Sequence, residues 1–428
     1  MMKKMYQIPA FMLSTVLTAS AVIGNTTVTA LANDSDLKTL RINIAATEEQ
    51  KADYEEAIAR FEEKHPDFKV EANYTGGATW KELCDKMIIQ IASGEAPDIC
   101  NVAVEGARMF IGNDLFIPLN DLLENDEEGQ ELLEQIPQSA WDSFSVDGNI
   151  YEIPNDSNSI ILQYNSKMYQ DAGLEAPADD YNWEQFVSDL QVLTKGDGDD
   201  KVYGTMIMPS FLWPWFYANG VSPVNDDWTA SNLSDPKIKE VLQNLYDLIY
   251  VYGVAPVPET NDDVTNMFAA GRTATICMGP FTVASYEASG FTDFDASIMP
   301  RMSEDGFVCF GIGGMGVTTS CQYPEEAYDL CKEFAAKEVS ERQAQTCTSL
   351  PLREEQVLSE TFLSHAPNMI RFYDELRYGV CLPAPENYSE FSEIMTSLGF
   401  NILTDAMSID DAIAQADQEL TDSFNNLY

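Results

Sequence analysis

Apolar positions along this chain follow two rhythms. Over residues 48–64 they recur at helical spacing, at Tyr54, Ala57, Ile58 and Phe61, and His65-Pro66 stops the pattern. Residues 79–93 repeat it, with Leu83, Met87, Ile88 and Ile91 on one face and Gly94 as the C-cap. Short β-prone runs at 40–45, 70–74 and 96–102 flank these segments. Strands alternating with helices at this distance predict βαβ units and a mostly parallel sheet. Further helices are expected over 166–172, stopped by Gly173; over 182–193, with Trp183, Phe186 and Leu190 inward; and over 234–251, where Ser234 is an N-cap and Pro236 follows. Helices are also expected over 264–270, 324–336 and 409–424, and strands over 203–208, 272–278 and 307–318.

One stretch breaks the alternation. From Gly148 to Asn165, two β-prone runs are separated by Asn155-Asp156-Ser157-Asn158-Ser159, five consecutive small polar residues. The chain is expected to leave one sheet here and enter another, which makes the segment a hinge between two lobes. Length agrees, because 428 residues exceed the usual size of one core.

Residues 1–32 are set apart as a secretory signal: Lys3 and Lys4 precede an apolar run from Ile8 to Gly24, and Ala30-Leu31-Ala32 supplies an Ala-x-Ala cleavage site. No second apolar run of membrane-spanning length follows. The first cysteine is Cys84, so no lipid-bearing cysteine is expected at the cleavage site. The protein is therefore expected to be secreted, periplasmic or at the cell surface without that anchor. Lys and Arg number 24 against 70 Asp and Glu, a net charge of −46 that repels nucleic acid and favours a soluble monomer. The cysteines at 84, 100, 277, 309, 321, 331, 347 and 381 are scattered, several in apolar surroundings. Buried free thiols are the first expectation, with a Cys321–Cys331 or Cys321–Cys347 bridge as the alternative.

Catalytic and cofactor signatures fail in turn. His65 and His365 are the two histidines and have no metal-ligand spacing; neither a nucleophile elbow nor a phosphate loop is present. No metal or cofactor is expected. Gly311-x-Gly313-x-x-Gly316 fits the dinucleotide pattern, but Val317-Thr318-Thr319 follows it where a helix is required, so a hinge or tight strand crossing is preferred. Asp197-x-Asp199-Asp200 begins like a calcium loop, yet its twelfth position is Met208, and an exposed turn is expected.

Aromatic residues carry more information. Residues 211–217 hold five aromatics, including Trp213 and Trp215; Trp80 follows Gly76-Gly77 at a helix start, and Phe281 follows Gly279-Pro280 at a strand end. Flat apolar faces beside carboxylates and amides suit sugar rings, which stack through C–H faces and hydrogen-bond through hydroxyls. Glu105 falls at the C-terminal end of a predicted strand, where open α/β sheets bind ligands. Glu48 at the first strand-to-helix turn, and Asp156 and Asn158 in the hinge, complete the polar candidates. Bland roles stay open for each: core packing for the aromatics, loop or helix-start acids for Glu105 and Glu48, and linker polarity for Asp156 and Asn158.

The order of landmarks resembles the extracellular solute-binding proteins of ABC importers, in the carbohydrate-binding family that includes maltose-binding protein. Over nearly the whole chain these landmarks are Ala92-Ser93-Gly94-Glu95-Ala96-Pro97-Asp98-Ile99, Pro118-Leu119-Asn120-Asp121-Leu122, Gly148-Asn149-Ile150-Tyr151-Glu152-Ile153-Pro154, Tyr164-Asn165, Ala172-Gly173-Leu174, Trp183-Glu184-Gln185-Phe186, Met267-Phe268-Ala269-Ala270-Gly271, Met278-Gly279-Pro280 and Leu350-Pro351-Leu352-Arg353. The resemblance implies a two-lobe periplasmic-binding-protein fold, each lobe a mostly parallel sheet flanked by helices. Residues 33–156 and 314–362 would form lobe 1, and 160–310 and 366–428 lobe 2, with crossings near 156–160, 311–314 and 362–367. It implies a non-catalytic receptor that closes on a sugar, with an oligosaccharide the expected size, and delivers it to ABC permease subunits. Glu48 and Glu105 match polar sugar contacts, Asn158 a polar hinge contact, and Phe281 a stacking aromatic for which the family's usual residue is Trp. Trp213 and Pro214 align, but the family's stacking position before them is Ser210 here, which leaves Trp215 as a substitute. Tyr388 or Phe391 would stack near the C-terminal helix. The alternatives are a secreted glycoside hydrolase, built on two carboxylates, and a receptor for a polyamine or other non-sugar solute.

Overall fold

The computed structural model describes residues 37–46, 48–75, 80–259 and 264–427. The expected signal segment 1–32 and the Gly76-Gly77 turn lie outside the described residues. Among the described residues, no helix is long and apolar enough to cross a membrane.

Strand Lys38–Ala45 pairs in parallel with Phe68–Thr75 over its whole length and with Ile99–Ala103 on its other side. Leu40, Ile42 and Ile44 are buried, alternate residues on one face of the pleat. Helix Glu48–Lys64 links the first two strands and buries Tyr54, Ala57 and Phe61, the stripe that its spacing predicts. Helix Trp80–Ala92 makes the second crossover, and Gly94 at φ 82° ends that passage.

Strand Cys309–Val317 completes the sheet, running antiparallel to Ile99–Ala103 on one side and to Glu152–Ser159 on the other. Val380–Cys381 adds a short parallel pairing at its start. These six strands make the first sheet among the described residues. The second has three: Ile161–Asn165 lies between Thr275–Met278 and Phe294–Ser297, antiparallel to both. This departs from the parallel expectation for both lobes, because the central strand's two neighbours both return against its direction.

The chain passes from the first sheet to the second at Ile160, between Glu152–Ser159 and Ile161–Asn165. It returns between Ser297 and Cys309, upstream of the glycines at 311–316, which lie within a strand of the first sheet. Those glycines leave room for side chains packed across the strand. A Cβ at Gly314 would stand 2.7 Å from Phe144 Cζ, and one at Gly316 the same distance from the Phe116 ring.

Several helices match their sequence patterns closely: Ser166–Ala172, Trp183–Leu193, Pro236–Tyr250, Pro324–Phe334 and Ile409–Leu427. Asp235, rather than Ser234, caps Pro236–Tyr250, accepting from the Lys237 N–H at 2.8 Å. The expected strand over 203–208 is reduced to an isolated bridge from Tyr203 to Thr273. All eight cysteines are free thiols; Cys321 and Cys381 are half-buried and the other six are buried.

Candidate functional site

A cleft of about 970 Å³ lies at the upper end of the ~300–1,000 Å³ common for small-molecule sites. Trp80 and Lys81 reach it from the start of helix Trp80–Ala92, and Glu105 from the first turn of helix Val104–Gly112. The opposing wall comprises residues 206–211 and Trp213, with Met278 from the end of a second-sheet strand and Phe281 just after it. A face of helix Tyr388–Leu403 closes it, where Tyr388, Ser392, Thr396 and Phe400 follow one another at intervals of four residues.

Three of the wall aromatics are held from behind. Trp213 stacks on Phe391, with centroids 5.1 Å apart and planes at 20°, and Tyr388 packs on the same Phe391 ring at 6.2 Å. Phe281, 37% exposed, owes its place to the preceding turn. A Cβ on Gly279 would stand 2.5 Å from the Phe281 ring, so only glycine lets the ring fold back. That turn is anchored by Gln163 of the second sheet, fully buried, whose side-chain amide donates to the Gly279 carbonyl at 2.9 Å. The Gln163 Oε1 accepts from the Tyr286 and Thr282 hydroxyls at 2.9 and 3.2 Å, so this buried amide is satisfied.

Glu105 is the polar centre of the cleft. Its Oε2 is buried without a hydrogen-bond partner. Burial pushes its carboxyl up to about 7, with a further increment from the Asp156 charge. An acceptor left unpaired inside a ligand-sized cavity is ready for a donor that the protein does not supply. Lys81 is already engaged with Asp85 at 3.0 Å. With Glu259 and Glu393 also on the walls, acidic groups outnumber basic ones.

Of the residues singled out from sequence, Trp80, Glu105, Trp213, Phe281 and Tyr388 meet at this cleft. The side chain of Glu48 lies outside the described positions. Trp215 and Phe391 are placed behind the walls. Trp213 and Trp215 are two residues apart on helix Trp213–Ala218 and face opposite ways, so Trp215 packs against Trp183 and Phe186 in the core. Phe391 is the buried support of Trp213. Asp156 turns away from the cleft into a small polar cavity with Tyr54, Asn155 and Gln343, where its Oδ1 accepts from the Gly313 N–H at 3.0 Å. Burial pushes it up to about 6, partly offset by that hydrogen bond. Asn158 is half-buried opposite Gly311, with its Oδ1 unpaired, and does not line the cleft.

Phe400, Ser392, Thr396 and Ser397 line the cleft without having been singled out, and Phe211 joins them from the aromatic run at 211–217. The signal for most of them was the four-residue recurrence from Tyr388 to Phe400. Among the described residues, no cluster of His, Cys, Asp or Glu could hold a metal ion. Asp199 and Asp200 lie in an exposed short helix.

The model of the bacterial extracellular solute-binding protein family matches residues 45–340. The chain belongs to this family. The solute-binding protein is 24% identical over 297 residues to the arabinooligosaccharide-binding protein of Halalkalibacterium halodurans, covering 66% of this chain and 63% of that relative. It thus spans a little under two thirds of that relative's length. Among solved structures, it is similar to an ABC substrate-binding protein from Listeria monocytogenes in complex with cycloalternan, with a TM-score of 0.82, 20% identity, and coverage of 91% of this chain and 100% of that one. It is also similar to a receptor of Streptomyces glaucescens solved unliganded and with acarbose, with a TM-score of 0.77, 19% identity, and coverage of 91% and 98%. At these identities the likeness establishes the fold, the two-lobe α/β fold of periplasmic binding proteins. The solute-binding protein shares its family with binding proteins and not with enzymes.

Proposed function

We propose that this chain is the substrate-binding receptor of an ABC importer, capturing an oligosaccharide between two lobes and handing it to membrane permease subunits. The observation that carries the reading is the cleft itself. Aromatic faces at Trp80, Trp213, Phe281 and Phe400 surround a carboxylate with an unpaired oxygen at Glu105. That combination serves a ligand with apolar C–H faces and hydroxyl donors. Relatives described as binding an arabinooligosaccharide, cycloalternan and acarbose favour the same class. In this reading the lobes are 33–156 with 314–362, and 160–310 with 366–428. Closure about the segments joining the sheets would present one conformation to the permease. The protein would act as an exported monomer.

Thermal unfolding against a panel of oligosaccharides, polyamines and uronic acids tests the substrate class. A ligand at ~100-fold over its dissociation constant stabilises by about 2.7 kcal/mol. Neutral oligosaccharides should stabilise the protein, and a response to polyamines alone would overturn the reading. Incubation with a labelled oligosaccharide separates it from a glycoside hydrolase, since a receptor returns the sugar intact.

A further inference from the structure

We propose that Arg108, Asp227 and Trp228 form a clasp that holds the cleft shut, biasing the protein towards closure before any ligand arrives. The proposal rests on the reading that the two sheets belong to lobes that move relative to each other. Its geometry is independent of which ligand is bound.

Arg108 lies on helix Val104–Gly112, three residues beyond Glu105 and therefore on a neighbouring face. This helix follows directly from strand Ile99–Ala103 of the first sheet. The Arg108 guanidinium sits over the Trp228 ring at 4.4 Å from its centroid, and its Nη1 donates to the Asp227 carbonyl at 3.1 Å. Trp228 lies in the loop between helices Trp213–Ala218 and Pro236–Tyr250. The former packs through Trp215 on Phe186 of helix Trp183–Leu193, beside the second sheet. One side chain therefore joins a helix that follows a strand of the first sheet to a loop in the segment linking two strands of the second.

The loop is built to present that ring. Trp228 has φ 59°, in the left-handed region where a bulky side chain is an outlier. It is held there by Asn225, whose Oδ1 accepts from the Thr229 and Ala230 N–H groups at 2.8 and 3.0 Å. The Asn225 carbonyl accepts from the Trp228 N–H at 2.9 Å. A residue kept in a rare conformation by several converging bonds points to a role for the ring it carries. A second tie crosses in parallel: the Ser389 hydroxyl donates to Asp85 Oδ1 at 2.6 Å, joining helix Tyr388–Leu403 to helix Trp80–Ala92. Asp85 also holds the cleft residue Lys81.

Such a clasp raises the fraction of free protein in the binding-competent form, and apparent affinity scales with that fraction. Small-angle X-ray scattering of the ligand-free protein tests it directly, comparing wild type with Arg108→Ala, Arg108→Lys and Trp228→Gly. Glycine is at ease in the left-handed region, so Trp228→Gly removes the ring while leaving the loop free to fold. The expected result is a larger radius of gyration in Arg108→Ala and Trp228→Gly, with an intermediate value for Arg108→Lys and melting temperatures close to wild type. Scattering curves of Arg108→Ala and Trp228→Gly that superimpose on wild type would overturn the clasp, as would a change in only one of them. No sugar enters the measurement, so failure of the clasp and failure of the sugar reading are separate outcomes.

Discussion

Two glutamates carry the chemistry of burial in opposite ways. Glu105 lines the cleft, and its Oε2 is buried there without a partner. Glu152 is fully buried in the first sheet, and both its oxygens lack partners. Its Oε2 lies near the Phe144 ring and Gly314, and burial drives its carboxyl well above the usual range. A raised carboxyl pKa holds the proton in the folded state while the unfolded chain has released it. Each group is thus without penalty below about pH 4.3, and costs stability increasingly as pH rises towards its folded value. For Glu105 that window closes near pH 7. Replacing Glu105 by Gln should flatten the fall in melting temperature between about pH 4.5 and 7; an unchanged pH profile would contradict the burial account. Glu152→Leu should stabilise the protein at pH 7.5 by roughly 1–3 kcal/mol, since an unpaired buried polar group is removed. Denaturant unfolding would register the change, and a loss of stability would show that Glu152 has a partner of consequence. At this scale the sequence was legible where a residue's environment followed from its neighbours. Glu105 was readable from its position after a β-rich run, whereas the aim of Asp156 into a side cavity depends on the Gly313 N–H, 157 residues away.

Helix Tyr388–Leu403 shows how far an element can be read from its own pattern. It supplies one cleft wall, yet its sequence carries Ser, Thr and Gly at interior positions that weaken helix propensity. Its polar face, at Ser392, Thr396 and Ser397, turns towards the cleft, so the element reads as neither plainly amphipathic nor plainly buried. Helix Glu48–Lys64, with one apolar stripe and one solvated face, was legible almost to the residue. Trp213 and Trp215 needed only the knowledge that residues 213–218 are helical, since that assigns them opposite faces. Helix Tyr388–Leu403 meets the opposite wall at Gly399, where a Cβ would collide with the Pro209 carbonyl oxygen. Gly399→Ala should therefore cost about 1–3 kcal/mol of stability and weaken ligand binding together, because the 206–211 wall must shift. A variant with wild-type melting temperature and affinity would show that the two elements are not rigidly coupled.

The whole molecule combines a net charge of −46 with a cleft expected to take an uncharged ligand. Self-repulsion at this charge opposes compactness, and salt screens it over a Debye length of about 10 Å at 0.1 M. Raising sodium chloride from about 0.01 to 0.5 M should raise the melting temperature while leaving affinity for a neutral oligosaccharide nearly unchanged. A steep loss of affinity with salt would indicate a cationic ligand instead. Two-lobe organisation was legible from the break in pattern near 155–159, although those residues continue strand Glu152–Ser159 and the chain changes sheet at Ile160. The antiparallel order of the second sheet was not, since its strands meet across more than a hundred residues.

Calorimetric titration with neutral oligosaccharides, comparing wild type with Phe281→Ala, tests the central claim most directly. Phe281 is 37% exposed on the cleft wall, so its truncation should leave the fold intact. The predicted result is saturable binding by the wild type and affinity about tenfold weaker in the variant, the order expected for an aromatic contact of ~1.5 kcal/mol. Absence of saturable heat with every oligosaccharide, or equal affinity in the two proteins, would contradict a sugar bound between these walls.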